Sequence, residues 1–310
     1  MSDQVSTAFV KQFGATVELK LQQGGSKVRG CVTEEPMNSE EQFFEQVGST
    51  SVNEVTTRHG DSPLNNTPHD RRRVTLRSFD WGDLIDKFDK VKMLIDPASP
   101  YVQNATKAMG RALDDVILGG GVAGESPIGT YGDGSTGAIL GTAFAGKAGT
   151  TSVPFDTANQ VVAMNFGGTN VGLTVPKLIE ARRIYRAAEV DLDMEELYIV
   201  ISAIQEANLL NSTPVTSIDY AGVKALVNGN VDSFLGYTFK RTQRIPKTGT
   251  DWYVLSWVKS GIKLGVGADI QSQIDRRPDK KFSWYAYLLM MFGGVRMEEG
   301  KAVRIQCLNA

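Results

Sequence analysis

The stretch "RRRVTLRSFDWGDLIDKFDKVKMLIDPASPYV", residues 71–102, changes its periodicity partway, and that change sets the reading of the whole chain. It opens on Arg71, Arg72 and Arg73, the densest run of positive charge in a protein of formal net charge −2. In an extended strand successive side chains point to opposite faces, so Arg71 and Arg73 share one face and Arg72 takes the other. That geometry suits carboxylates on two sides better than it suits tracking a phosphate backbone. From Trp81 onward the spacing becomes helical: Leu84, Phe88, Val91 and Ile95 align, with Asp83, Asp86, Lys87, Asp89 and Lys90 opposite. "DPASP" (96–100) then interrupts. Ser99 as N-cap and Pro100 at the first helical position predict a second, longer helix. Its stripe is Val102, Ala105, Met109, Ala112, Val116 and Ile117, and Gly119-Gly120-Gly121 ends it near Leu118.

On the N-terminal side, residues 48–79 read as a long β-hairpin arm. Flanks at 50–58 and 71–79 are rich in Val and Thr, and "HGDSPLNNTPH" between them is a cluster of turn formers. The arm holds few large apolar residues, and isolated hairpins are marginal, so it needs a surface to lie on. Before it, "ATVELKLQQ" and "SKVRGCV" alternate in strand fashion around Gly24-Gly25. Glu34, Glu35, Glu40, Glu41 and Glu45 then make an acidic run.

Beyond the long helix, residues 119–149 are glycine-heavy, and after Pro154 the pattern turns α/β. Thr174 is placed to cap a helix over 175–188, "LYIVIS" (197–202) reads as a buried strand, and helices follow at 203–210 and 219–228. The remainder is mostly strand: "VDSFLGYTFKRT", "DWYVLSWV", "KFSWYAYLLMM" and "KAVRIQCL", the last with Val303, Ile305 and Cys307 on one face. No repeat of 20 to 50 residues is present.

At 310 residues, 41% hydrophobic and 22% charged, the composition is that of an ordinary globular protein. With 33 Lys and Arg against 35 Asp and Glu, it is not a dedicated nucleic-acid binder, which carries a clearly basic domain. No segment reaches the roughly 18–20 apolar residues of a membrane span. "FSWYAYLLMMFGGV" (282–295) comes nearest and reads as a buried strand. The first residues lack a basic start and an apolar core, so no secretory signal is expected. Cys31 and Cys307 lie far apart without metal-ligand spacing, which fits a reducing, cytoplasmic place of synthesis.

Motifs for chemistry fall short. "GDGSTG" (132–137) has the GxGxxG spacing but lacks the strand and unbroken helix that a dinucleotide site needs. "GTAFAGK" (141–147) resembles a phosphate loop, yet Ala148 stands where a Ser or Thr must hold magnesium. "EVDLDMEE" (189–196), read as a calcium loop, has Glu196 at the turn glycine and Ser202 at the bidentate glutamate. The two histidines, His59 and His69, sit at the polar tip of the arm with no cysteine near them. A mobile arm is a poor platform for a catalytic base. The expectation is no catalysis, no cofactor and no metal.

The order of parts, and the wording of 71–102 running into "ALDDVILG" (112–119), resembles the Hong Kong 97 fold of tailed-phage major capsid proteins. "VPKLIEARRIYRAAEVDLDMEELYIVIS" (175–202) and "DYAGVKALVNGNVDSFLGYTF" (219–239) resemble its central portion, and the likeness spans nearly the whole chain. The resemblance implies an α+β fold: N-arm and first strands over 1–45, an extended E-loop over 46–80, the spine helix with part of the P-domain over 81–150, mainly A-domain over 151–265, and strands returning to the P-domain over 266–310. It also implies an icosahedral shell of hexamers and pentamers around double-stranded DNA, built in the host bacterial cytoplasm, with the E-loop laid over a neighbouring subunit. DNA contact would be non-specific, since residues 1–30 carry only Lys11, Lys20, Lys27 and Arg29 against Asp3 and Glu18. The chain lacks a long N-terminal coiled coil, so scaffolding would be a separate protein, as would portal and decoration proteins. No Lys, Asn and Glu trio for covalent cross-linking is identifiable by motif.

The candidate inter-subunit contacts are Arg71, Arg72 and Arg73, paired with acids of the 34–45 run (Glu34, Glu35, Glu40, Glu41) or of the 189–196 cluster (Asp191, Asp193). Two alternatives stand beside this reading. An encapsulin-like nanocompartment shares the fold but holds enzyme cargo, and a soluble α/β enzyme would use the glycine-rich loops.

Overall fold

The computed structural model describes residues 22–58, 60, 64–85, 98–119, 137–211 and 232–308. Residues 22–32 enter as a turn and a short 3₁₀ segment, Arg29–Cys31. The strand expected from "SKVRGCV" is therefore not formed. The cause is Asp114, a buried carboxylate that draws this backbone into an anion-binding curl: Lys27 N–H donates at 2.9 Å, Val28 N–H at 3.3 Å and Ser26 Oγ at 2.5 Å.

Strands β1 (Thr33–Pro36) and β2 (Glu41–Val47) follow, then β3 (His69–Thr75) and β4 (Arg77–Ile85). The arm's ladder joins β2 to β3, with Glu45 opposite Arg71 and Phe44 opposite Arg72. The N-terminal flank expected at 50–58 thus begins nine residues too late and ends eleven too late. Phe43 and Phe44 in β2 supply the side chains that "STSVNEVTT" lacks, and the latter carries no ladder. The helix expected from Trp81 is a strand as far as Ile85, because β4 pairs along its length with a later strand. Phe88, Val91 and Ile95 lie outside the described residues.

Helix α1 (Ala98–Leu118) is the long helix read from the sequence, beginning a residue before Ser99. Ala105, Met109, Val116 and Ile117 of its stripe are buried, together with Leu113. Gly110 stands within the unbroken helix for a steric reason: a Cβ there would stand 2.5 Å from Ser26 N and 2.7 Å from the Gly25 backbone. Gly110→Ala is therefore expected to destabilise by about 1–3 kcal/mol by overpacking, against the roughly 1 kcal/mol that Ala gains over Gly in helix propensity. Urea unfolding against the parent chain measures the net loss; a net gain would show that the 25–26 segment does not lie on this helix.

Next come the one-turn helix α2 (Gly137–Leu140), β5 (Ala143–Ala145), β6 (Thr151–Val153), β7 (Val161–Val162), α3 (Val175–Ala187), β8 (Leu197–Ile201) and α4 (Ala203–Leu210). Ser202 and Gln205 cap α4, the glutamine Oε1 accepting from Ser202 N–H at 2.9 Å. "GTAFAGK" is strand and turn and opens no helix, so it forms no phosphate loop. Most of "GDGSTG" and the helix expected at 219–228 lie outside the described residues. The chain ends in β9 (Ser233–Phe234), β10 (Tyr237–Arg241), β11 (Lys247–Thr248), β12 (Asp251–Val258), β13 (Ile262–Arg277), β14 (Ser283–Arg296) and β15 (Ala302–Leu308).

Three sheets result. One has the order β1-β13-β14-β4, the second β7-β15-β12-β8-β10-β9 with β11 beside β12, and the third β2-β3-β5-β6. Helix α1 lies on the first, where Leu288, Met290 and Phe292 of β14 join its stripe in one core. Phe79 stacks on Phe292 with ring centroids 4.4 Å apart. In the second sheet α3 packs against β8, β12 and β15 through Leu178, Ala181 and Tyr185. "LYIVIS" is buried as read, and so are Val303, Ile305 and Cys307. Strand β15 pairs with β12 and β7 in the second, central sheet, and its apolar face completes the core beneath α3.

Candidate subunit-contact surface

The arginine triplet stands at the root of the arm, on β3. As the strand period requires, Arg71 and Arg73 share a face and Arg72 takes the other. Arg71 pairs with Glu45 at 3.3 Å and lies 5.5 Å over the Phe43 ring. Arg73 pairs with Glu41 at 3.0 Å and lies 5.0 Å over Phe144. Both acids belong to the neighbouring strand of the same chain, so two members of the 34–45 run are the triplet's partners within the subunit. Such half-exposed pairs contribute at most about 1 kcal/mol each.

Arg72 differs in kind. It is buried, its Nε donates to the Met297 carbonyl at 2.9 Å, and its guanidinium meets Glu299 at 3.2 Å and Asp70 at 3.7 Å. Glu299 also meets Arg296 at 3.4 Å. Arg296 is fully buried and donates to the carbonyls of Ile139, Gly141 (3.0 Å) and Val153 (3.3 Å). Burial pushes its guanidinium below the usual arginine range, with Glu299 opposing that shift. Two guanidiniums thus share one carboxylate where the arm's sheet, the long hairpin and the 137–153 segment meet.

The remaining acids divide. Glu34 is held by Arg29 at 3.1 Å, and Glu35 by Lys263. Glu195 accepts from Ser260 Oγ at 2.6 Å, and Glu196 pairs with Lys259 at 3.1 Å. Glu40, Asp191 and Asp193 are exposed, and among the described residues none of the three has an ion pair. Met194 beside them is 85% exposed. The 189–196 cluster is thus a loop whose last two acids brace the fold and whose first three, Glu189, Asp191 and Asp193, face solvent.

Beyond β2 and β3, every described residue of the arm (48–58, 60 and 64–68) is exposed. Its roots close at Gly48 N–H to the Pro68 carbonyl, 2.8 Å, and its legs at Asn53 to Asn65, 2.9 Å. Val52, Val55 and Leu64 are 93%, 84% and 89% exposed.

Neither free cysteine is available for exchange. Burial pushes the Cys31 thiol up to about 11 and the Cys307 thiol up to about 12. Among the described residues no group of acids, histidines and cysteines is arranged to hold a metal ion, and no helix is long and apolar enough to cross a membrane.

Sequence reasoning missed four buried ionic groups: Arg296, Asp114, Lys177, and the pair of Arg244 with Asp115. The acids were visible as two adjacent carboxylates inside the apolar stripe of "ALDDVILG". Nothing local marked Arg244 or Arg296.

Residues 5–309 match the model of a family described as phage capsid protein. No curated protein matches the sequence. Among solved structures, the capsid of cyanophage P-SCSP1u superposes with a TM-score of 0.68 at 16% identity, over 99% of this chain and 95% of that one. Mycobacterium phage Che8 gives 0.66 at 14% identity, over 96% and 97%. The capsid asymmetric unit of cyanophage Pam1 gives 0.67 at 12%, over 98% of each.

Proposed function

This chain belongs to the phage capsid protein family and has the Hong Kong 97-type α+β fold of a major capsid protein, a structural component of the virion shell; from that premise we propose that its copies form the hexamers and pentamers of an icosahedral shell around double-stranded DNA. The family match over residues 5–309 carries this reading. The exposed arm supports it, because a neighbouring copy would cover its three exposed apolar side chains.

In this reading the subunit is not catalytic. Its chemistry is that of interfaces, and DNA is held without sequence preference by a protein of nearly balanced charge. Scaffolding, portal and decoration proteins are separate partners, and assembly takes place in the host cytoplasm. Of the candidate contact residues, Glu40, Asp191 and Asp193 are the acids free to meet a neighbour. Arg71 and Arg73 hold the arm's root at the angle at which it leaves the subunit. Arg72 belongs to the fold.

Electron microscopy of the expressed protein tests this directly: closed shells or rings are expected, and a sharp monomer peak at micromolar concentration would overturn it. Replacing residues 49–67 by a short Gly-Ser turn between Gly48 and Pro68 should change subunit stability by less than about 1 kcal/mol, since surface loops are thermodynamically tolerant. Shell formation should be lost. Normal shells from that variant would show that the arm is not an assembly element.

A further inference from the structure

Strand β13 is 16 residues long, yet β1 covers its outer edge only from Lys263 to Val266. Among the described residues no strand pairs with that edge from Ala268 to Arg277. On its other side β14 is paired throughout, apart from irregularities around residues 266–271. A bare edge of this length is a template for another strand, and proteins usually blunt such edges with Pro, Lys or short length. Between Ala268 and Arg277 there is no Pro, Gly or Lys. Ile270 and Ile274 are 37% and 42% exposed.

The sequence of this edge is its own mirror. Residues 269–275 read Asp-Ile-Gln-Ser-Gln-Ile-Asp, a palindrome centred on Ser272. Two antiparallel copies centred there would place Ser272 opposite Ser272, Gln271 opposite Gln273, and Ile270 opposite Ile274. Directly opposed β-branched pairs and amide pairs are stabilising in antiparallel ladders, while like charges directly opposed are not. The acids at the two ends, Asp269 against Asp275, are the one unfavourable pairing. Arg29 stands at that end, donating to both Asp269 oxygens at 3.1 Å, so a cation is already in place where the two acids would meet.

Resting on the reading that copies of this chain assemble, we infer that the β13 edge pairs antiparallel with the same edge of a second copy, centred on Ser272. A self-complementary patch joins two copies across a two-fold axis, and it cannot propagate round a ring. The contact therefore ties one capsomer to the next. It uses residues of β13 and none of the arm at 48–68.

The test is disulfide trapping in full-length particles. Ser272→Cys subunits opposed across the axis lie within the Cα separation that a disulfide spans. Brief oxidation with copper–phenanthroline should convert most subunits to a dimer on a non-reducing gel. Gln271→Cys alone should not cross-link, because its partner across the axis is residue 273. Gln271→Cys mixed with Gln273→Cys should. The wild-type chain is the blank, since Cys31 and Cys307 are buried. Intact particles in which Ser272→Cys stays monomeric, or in which Gln271→Cys alone links as well as Ser272→Cys, overturn the pairing. Failure of the wild-type chain to form particles overturns the shell reading instead, and the pairing with it.

Discussion

Replacing Arg296 with methionine is expected to lower the unfolding free energy of the subunit by about 3–5 kcal/mol, the scale for removing one partner from a buried ionic network. The side chain has no solvent exposure and donates to three main-chain carbonyls and to Glu299. Its guanidinium also lies 5.3 Å from the centre of the Phe155 ring. Methionine fills much of the volume but leaves those carbonyls without a donor, and each unsatisfied buried group costs on the order of 1–3 kcal/mol. Glu299 would keep Arg72 as its remaining partner, which limits the damage. Lysine should rescue little, because a single ammonium cannot reproduce the planar fork that reaches three acceptors. Urea unfolding of dissociated subunits at fixed concentration gives the number, since assembly would otherwise shift the apparent stability. A loss below about 1 kcal/mol would mean that water or relaxation replaces the fork.

The same residue shows where the sequence stopped being legible. Long runs with a clear period were readable: α1, the buried "LYIVIS" strand, and the shared face of Val303, Ile305 and Cys307 each carry their burial in their spacing. What could not be read were elements whose state is set by distant partners. Leu84 and Trp81 fit a helical spacing, yet β14 offers nine residues of ladder to β4, and that pairing wins locally. "SKVRGCV" alternates like a strand, yet the Asp114 carboxylate recruits its N–H groups. For the triplet, strand alternation predicted the two faces correctly, but the identity of the acids depended on a register between β2 and β3 that no local pattern encodes. Those acids are in the same chain, so much of the triplet's charge is spent on holding the arm's root. Of the exposed positions, Asp191 and Asp193 were legible as part of an acidic cluster, whereas Val52, Val55 and Leu64 were individually unremarkable in sequence.

The pair of Arg244 and Asp115 makes the second large prediction, and it turns on an asymmetry. Their side chains are 5% and 2% exposed, and the guanidinium grips the carboxylate through two nitrogens, Nε at 2.6 Å. The pair links α1 to the segment between β10 and β12, so it sits between the helix and the central sheet. Arg244→Met alone should cost about 3–5 kcal/mol, because it takes the guanidinium away from a carboxylate buried beside the apolar end of α1. Converting both to apolar residues, Arg244→Met with Asp115→Leu, removes the buried charge as well as the pair. Replacing a buried ion pair by packed apolar groups is often neutral or stabilising. The double variant should therefore be more stable than Arg244→Met, and the two single losses should not add, as expected for directly contacting residues. Equilibrium unfolding of the two singles and the double forms the required cycle. If the losses do add, the two residues are not acting as one charge pair. Neutrality of the double variant with defective shells would show that the pair is kept for the angle it sets between α1 and the central sheet.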